Sequence, residues 1–121
     1  MMRSVVVVVG ALGLACAAKV RADFLEPVSG REFAADQSFC LLVRFGFNTS
    51  EATCAVSVDG GVVSLETSAT FFSSGCQPGG LRPEATCQVP PLAPGSYRLV
   101  PFNQMLTVVV DGGVTGCRYY P

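Results

Sequence analysis

The sequence predicts a single all-β domain, a sandwich of two antiparallel sheets, carried behind a removable N-terminal leader. Three observations predict it. Val, Thr, Phe and Tyr are frequent, while helix signals are nearly absent. Clusters of Gly, Pro, Ser and Asp-Gly recur roughly every 8–12 residues, the spacing of short strands in a sandwich or barrel. A short apolar run also follows a basic N-terminus and precedes small residues, which is the anatomy of a secretory signal peptide.

The leader comes first in chain order. Met1-Met2-Arg3 is a short positive region, and Val5 to Leu14 is apolar throughout. Ala15-Cys16-Ala17 and Val20-Arg21-Ala22 offer cleavage after Ala17 or Ala22. Residues 1–22 are therefore assigned to the signal peptide and 23–121 to the domain. The apolar run is too short to span a bilayer comfortably. Two other readings exist. The segment could be a buried N-terminal strand, or Cys16 could carry a lipid. The second is weakened by Gly13, which stands where a lipid-attachment motif carries Leu.

The strands follow. Phe24 to Val28 closes at Ser29-Gly30, and Ser38 to Phe45 is nearly continuous in apolar residues up to Gly46. Thr53 to Val58 alternates, with Cys54, Val56 and Val58 on one face. Asp59-Gly60-Gly61 is a hairpin turn leading to Val62–Leu65. Ala69 to Ser73 carries Phe71 and Phe72, and Gly75 to Pro83 is a loop. Ala85 to Val89 ends at Pro90-Pro91, because Pro cannot donate to a ladder. Ser96 to Pro101 and Met105 to Val110 are further strands. Asp111-Gly112-Gly113 turns the chain towards a last strand over Val114–Tyr119. Leu41, Val43, Phe45, Val56, Val89, Tyr97, Leu99 and Val108 are the expected core.

Composition narrows the function. After the leader, five basic residues stand against nine acidic ones, leaving about −4 with no basic cluster. Nucleic-acid binding lacks its electrostatic footprint. No second apolar run follows, so neither a transmembrane segment nor a lipid-anchor tail is expected. The chain has no His, which removes the commonest general base and a frequent metal ligand. No catalytic residue, cofactor or metal site is assigned. Asp59 and Asp111 each open an Asp-Gly-Gly, which reads as turn chemistry rather than as a carboxylate site. Asn48-Thr49-Ser50 is a glycosylation sequon, placing Asn48 on a surface loop of a glycoprotein.

The six cysteines include Cys16. Its loss with the leader leaves Cys40, Cys54, Cys76, Cys87 and Cys117. An exported chain meets an oxidising compartment, so at most two bridges form and one thiol is left over, free or joined to a second chain as a disulfide-linked dimer.

The stretch Thr86-Cys87-Gln88-Val89-Pro90-Pro91-Leu92-Ala93-Pro94-Gly95-Ser96-Tyr97 ends one strand, turns at Pro94-Gly95 and opens the next with a Tyr. That Tyr can bury its ring while its hydroxyl bonds the turn backbone, the logic of the tyrosine corner. The stretch resembles the late part of an IPT/TIG domain, an immunoglobulin-like module with a Cys-x-x-Pro-Pro segment before a Pro-Gly turn. Pro27-Val28-Ser29-Gly30 resembles that family's opening Pro-x-x-Gly, and Val43-Arg44-Phe45-Gly46-Phe47 its strand-Gly-aromatic step. The family's Gly-Gly pair is missing, and Glu32 to Asp36 stand there instead. The resemblance covers about Phe24 to Val110 and implies an immunoglobulin-like sandwich. It also implies a Cys54–Cys87 bridge between core strands. Cys40 and Cys117 then form the second pair and Cys76 is the odd thiol. A local Cys76–Cys87 bridge stays open as the rival.

The function expected is a secreted or surface-associated recognition module, of adhesion or immune-modulating type, that binds another protein without catalysis. The alternative is a disulfide-linked structural subunit of an extracellular or envelope assembly.

Overall fold

The structure is a computed structural model that describes residues 7–9, 15–73, 76 and 83–117. Its regular elements are strands, and no helix occurs among the described residues. In chain order they are β1 (Val7–Val9), β2 (Ala15–Val20), β3 (Phe24–Leu25), β4 (Glu32–Ala34), β5 (Phe39–Arg44) and β6 (Thr49–Asp59). They continue with β7 (Val62–Phe72), β8 (Glu84–Val89), β9 (Gly95–Val100) and β10 (Gln104–Val109). Most of the expected loop Gly75–Pro83 and the end of the expected last strand, from Arg118, lie outside the described residues. So do Met1–Arg3 and most of the leader's apolar run.

The smaller sheet has the order β3-β5-β8, all antiparallel. The larger runs β1-β2-β7-β9-β10-β4, with β6 along the other edge of β7, and curls into a half-barrel. The larger sheet is mixed, which corrects the expectation of two antiparallel sheets. β4 runs parallel to β10, and β7 parallel to β9. Neither pair is joined by a hairpin, and only a hairpin forces neighbours to run antiparallel. β9 arrives from β8, in the other sheet, and so is free to lie alongside β7 in the same direction.

The core lies between the sheets. Leu41 and Val43 of β5, with Cys87 and Val89 of β8, meet Val63 and Leu65 of β7, Leu99 of β9, and Leu106 and Val108 of β10. Phe33 and Phe39 stack with ring centroids 4.5 Å apart. β8 buries every second residue, Ala85, Cys87 and Val89, as a strand with one dry face should. β5 is buried on both faces from Phe39 to Val43, which explains its unbroken apolar run. The segment after β10 lies against its first residues, with Cys40 N donating to Gly116 O at 3.1 Å. Of the expected core, Leu41, Val43, Phe45, Val89, Leu99 and Val108 are buried. Val56, on a strand at the sheet's margin, and Tyr97 are only half-buried.

Several boundaries differ from expectation. The hairpin at Gly60-Gly61 forms, with Gly60 at φ 62°. The strands expected at Val62–Leu65 and Ala69–Ser73 are one, because β6 pairs through the polar stretch Glu66–Ser68 as well. β4 was not expected, since three residues are too few to show a period. In place of a last strand, Val114 and Gly116 make single bridges to Phe33 and Phe39.

Three disulfides staple this fold. Cys54–Cys87 joins β6 to β8 and so one sheet to the other, with Cα atoms 5.1 Å apart. Cys40–Cys117 fixes the segment after β10 to β5. Cys16–Cys76, with Cα atoms 5.5 Å apart, ties the start of β2 to the region after β7. Cys76 is therefore not an odd thiol, and no cysteine is left for a disulfide-linked dimer. The odd count came from discarding Cys16 with the leader. The rival Cys76–Cys87 bridge does not form, because Cys87 is held by Cys54.

A candidate cationic cleft

β7 is hydrogen-bonded to β6 along one edge. Its other edge is shared by two strands that meet it end to end. β9 pairs with Val62–Ser64 and β2 with Ala69–Phe72. Neither strand's ladder reaches Leu65–Ser68 on that edge. Both stop for local reasons. β9 ends where Pro101 brings no N–H to a ladder, and the turn closes with Asn103 N donating to Leu99 O at 2.8 Å. β2 ends at Val20, and beyond it Ala22 N donates to the Thr67 hydroxyl, not to backbone, at 2.8 Å.

The gap is a cleft of about 590 Å³, walled by Arg21 on one side and by Arg98, Val100 and Pro101 on the other. A second cavity of about 430 Å³ shares Arg21, Leu65 and Glu66 with it and extends to Lys19. Lys19 Nζ donates to Thr70 Oγ1 at 3.2 Å, and that hydroxyl donates to Glu51 Oε1 at 3.2 Å. Three cations, Lys19, Arg21 and Arg98, thus line the joined cavities with one carboxylate, Glu66. The lining side chains thus hold three cations against Glu66, with Glu51 one hydroxyl beyond Lys19, on a chain whose formal net charge is −1. Leu65 beneath it is 3% exposed. Cations beside low-dielectric walls concentrate anionic groups. The cleft offers charge complementarity and hydrogen bonding to an acidic ligand.

None of these residues was singled out in the sequence. Lys19 and Arg21 fall in the expected leader, Arg98 in the expected strand Ser96–Pro101, and Glu66 just past the expected strand Val62–Leu65. The register of three separate strands brings them together. The residues that were singled out lie elsewhere. Asn48 stands in the β5–β6 connection at φ 63°, half-buried, and its carbonyl accepts from Phe72 N at 2.8 Å. Phe47 beside it is 60% exposed. Asp59 and Asp111 each precede a glycine of positive φ, Gly60 and Gly112, as turn residues do. Tyr97 Oη donates to Ala93 O at 2.7 Å. Among the described residues no three His, Cys, Asp or Glu groups gather as they would around a metal ion, and no helix is long and apolar enough to cross a membrane.

Comparison with known families, characterised proteins and solved structures finds no match to this chain.

Proposed function

We propose that this protein is a secreted recognition module that binds an acidic segment of another protein in the cleft between β2 and β9. The observation that carries the proposal is the local reversal of charge. Three cations converge on an interrupted sheet edge of an otherwise acidic chain. Three disulfides suit an oxidising compartment, and they hold the cleft walls on a stiff scaffold. An immunoglobulin-like sandwich of the IPT/TIG kind is supported by two features. Tyr97 bonds the backbone of the preceding turn in the manner of a tyrosine corner, and Cys54–Cys87 links the sheets. Asn48, in the connection between two strands, is the proposed glycosylation site.

The test is affinity capture with the secreted protein as bait, comparing wild type, Arg98→Glu and Phe47→Ser, with mass spectrometry of what is retained. A protein held by wild type and by Phe47→Ser but lost with Arg98→Glu is the expected result. Capture indifferent to Arg98, or lost with Phe47→Ser, overturns the cleft as the binding site.

A further inference from the structure

We infer that the leader is cut between Ala15 and Cys16, so that Cys16 to Ala22 stays in the mature domain as a structural strand. This goes beyond the recognition reading and rests only on the leader being a secretory one. Small-x-small triplets before a cut include Gly13-Leu14-Ala15, Ala15-Cys16-Ala17 and Val20-Arg21-Ala22. The fold separates them. A cut after the first takes Ala15 alone from the start of β2 (Ala15–Val20), whereas a cut after the second halves the strand and one after the third removes it.

Five features depend on that segment. Ala17–Val20 pairs antiparallel with Ala69–Phe72 of β7. Cys16 is bridged to Cys76, and Cys16 O accepts from Ser73 N at 2.8 Å. Lys19 bonds Thr70, which is only 9% exposed. Ala22 N bonds Thr67. Val20 and Ala22 pack against the core. Removing residues 16–22 leaves the Ala69–Phe72 edge without its ladder, and an open edge is a template for wrong pairing. It leaves Cys76 without a partner and takes two of the cleft's three cations.

A cut after Ala15 keeps all five. The cleavage triplet Gly13-Leu14-Ala15 then directly follows the apolar stretch Val5–Leu12, in the order of a leader's apolar region and cleavage site. Among the described residues, β1 and Ala15 are lost, and β1 pairs there with β2 and with no other described strand. β2 becomes the margin of the sheet, and it carries Lys19, the kind of charged residue that guards such margins. In the reaction, water adds across the Ala15–Cys16 peptide bond on the host's leader peptidase. Ala15 receives a carboxylate and Cys16 a free amine.

The test uses the full chain expressed in a secreting eukaryotic host and recovered from the medium. It reads the N-terminus by sequencing and intact mass, and titrates thiols in denaturant without reductant. The expected product begins at Cys16, has no titratable thiol and yields a Cys16–Cys76 cross-linked peptide. A product beginning anywhere from Ala17 to Asp23 overturns the inference, as does one that keeps Met1. A lipid mass on Cys16 also overturns it, because the lipid would occupy the sulfur that the bridge needs. Two processing variants sharpen the result, each read at the N-terminus of the processed chain in cell extract as well as in the medium. Ala15→Gln, which blocks a cut after residue 15, should abolish the Cys16 start. Ala22→Gln should leave that start unchanged. The opposite pattern places the cut after Ala22 and refutes the inference.

Discussion

Gly113 is the residue most tightly constrained by its backbone. Its φ is 89°, and a Cβ there would lie 2.8 Å from the backbone of Phe33 and Ala34. The segment after β10 approaches β4 this closely because Ala34 N donates to Val114 O and Val114 N to Glu32 O. Gly113→Ala should therefore destabilise by about 1–3 kcal/mol or more, from the left-handed backbone together with the overlap. Gly61→Ala, with nothing within 4 Å of the added carbon, should change the melting temperature little. Thermal unfolding of the two variants checks the contrast. Leu99, fully buried among residues of both sheets, should cost about 2–5 kcal/mol when cut to Ala. Tyr97→Phe removes only the bond to Ala93 O and should cost about 0.5–1.5 kcal/mol. Equal losses for Leu99→Ala and Tyr97→Phe in denaturant titration would show that Leu99 is not the core residue described here. The surface pairs of Arg44 with Glu26 and Glu84, 3.5 and 3.1 Å apart on half-exposed side chains, contribute little by comparison.

At the scale of elements, the Cys54–Cys87 bridge spans 33 residues and two sheets. Replacing both cysteines with Ser should cost about 3–4 kcal/mol in the chain-entropy account, measured as a lower denaturation midpoint. What could be read from the sequence at this scale was local. The β6–β7 hairpin announces itself in Asp-Gly-Gly. β8 shows strict alternation, and the β8–β9 turn is written in its prolines and glycine. What could not be read depends on distance. β4 has no period to detect, and the parallel pairings join strands far apart in the chain. β2 was hidden by ambiguity of composition, because small apolar residues serve a leader's cleavage region and a sheet strand equally well. Cys16, the sixth cysteine, lies in that same ambiguous stretch.

At the scale of the molecule, the all-β class and the presence of disulfides were legible, and the number of bridges and the proposed cleft were not. A cleft made where two strands fail to meet has no linear signature. Its charges come from Lys19, Arg21, Glu66 and Arg98, and only the register of β2, β7 and β9 aligns them. An overall acidic chain also gives no hint of a local positive patch. The physical consequence is specific. Binding that rests on Arg98 and its neighbours should weaken as salt screens them, over a range where apolar contacts hardly change. The most direct test is the affinity of the captured partner for wild type and for Arg98→Glu as salt is raised from about 0.05 to 0.5 M. Binding in the cleft predicts at least a tenfold loss for Arg98→Glu at low salt, about 1.4 kcal/mol, with the gap closing as salt rises. Equal affinities for the two proteins, unchanged by salt, would contradict it.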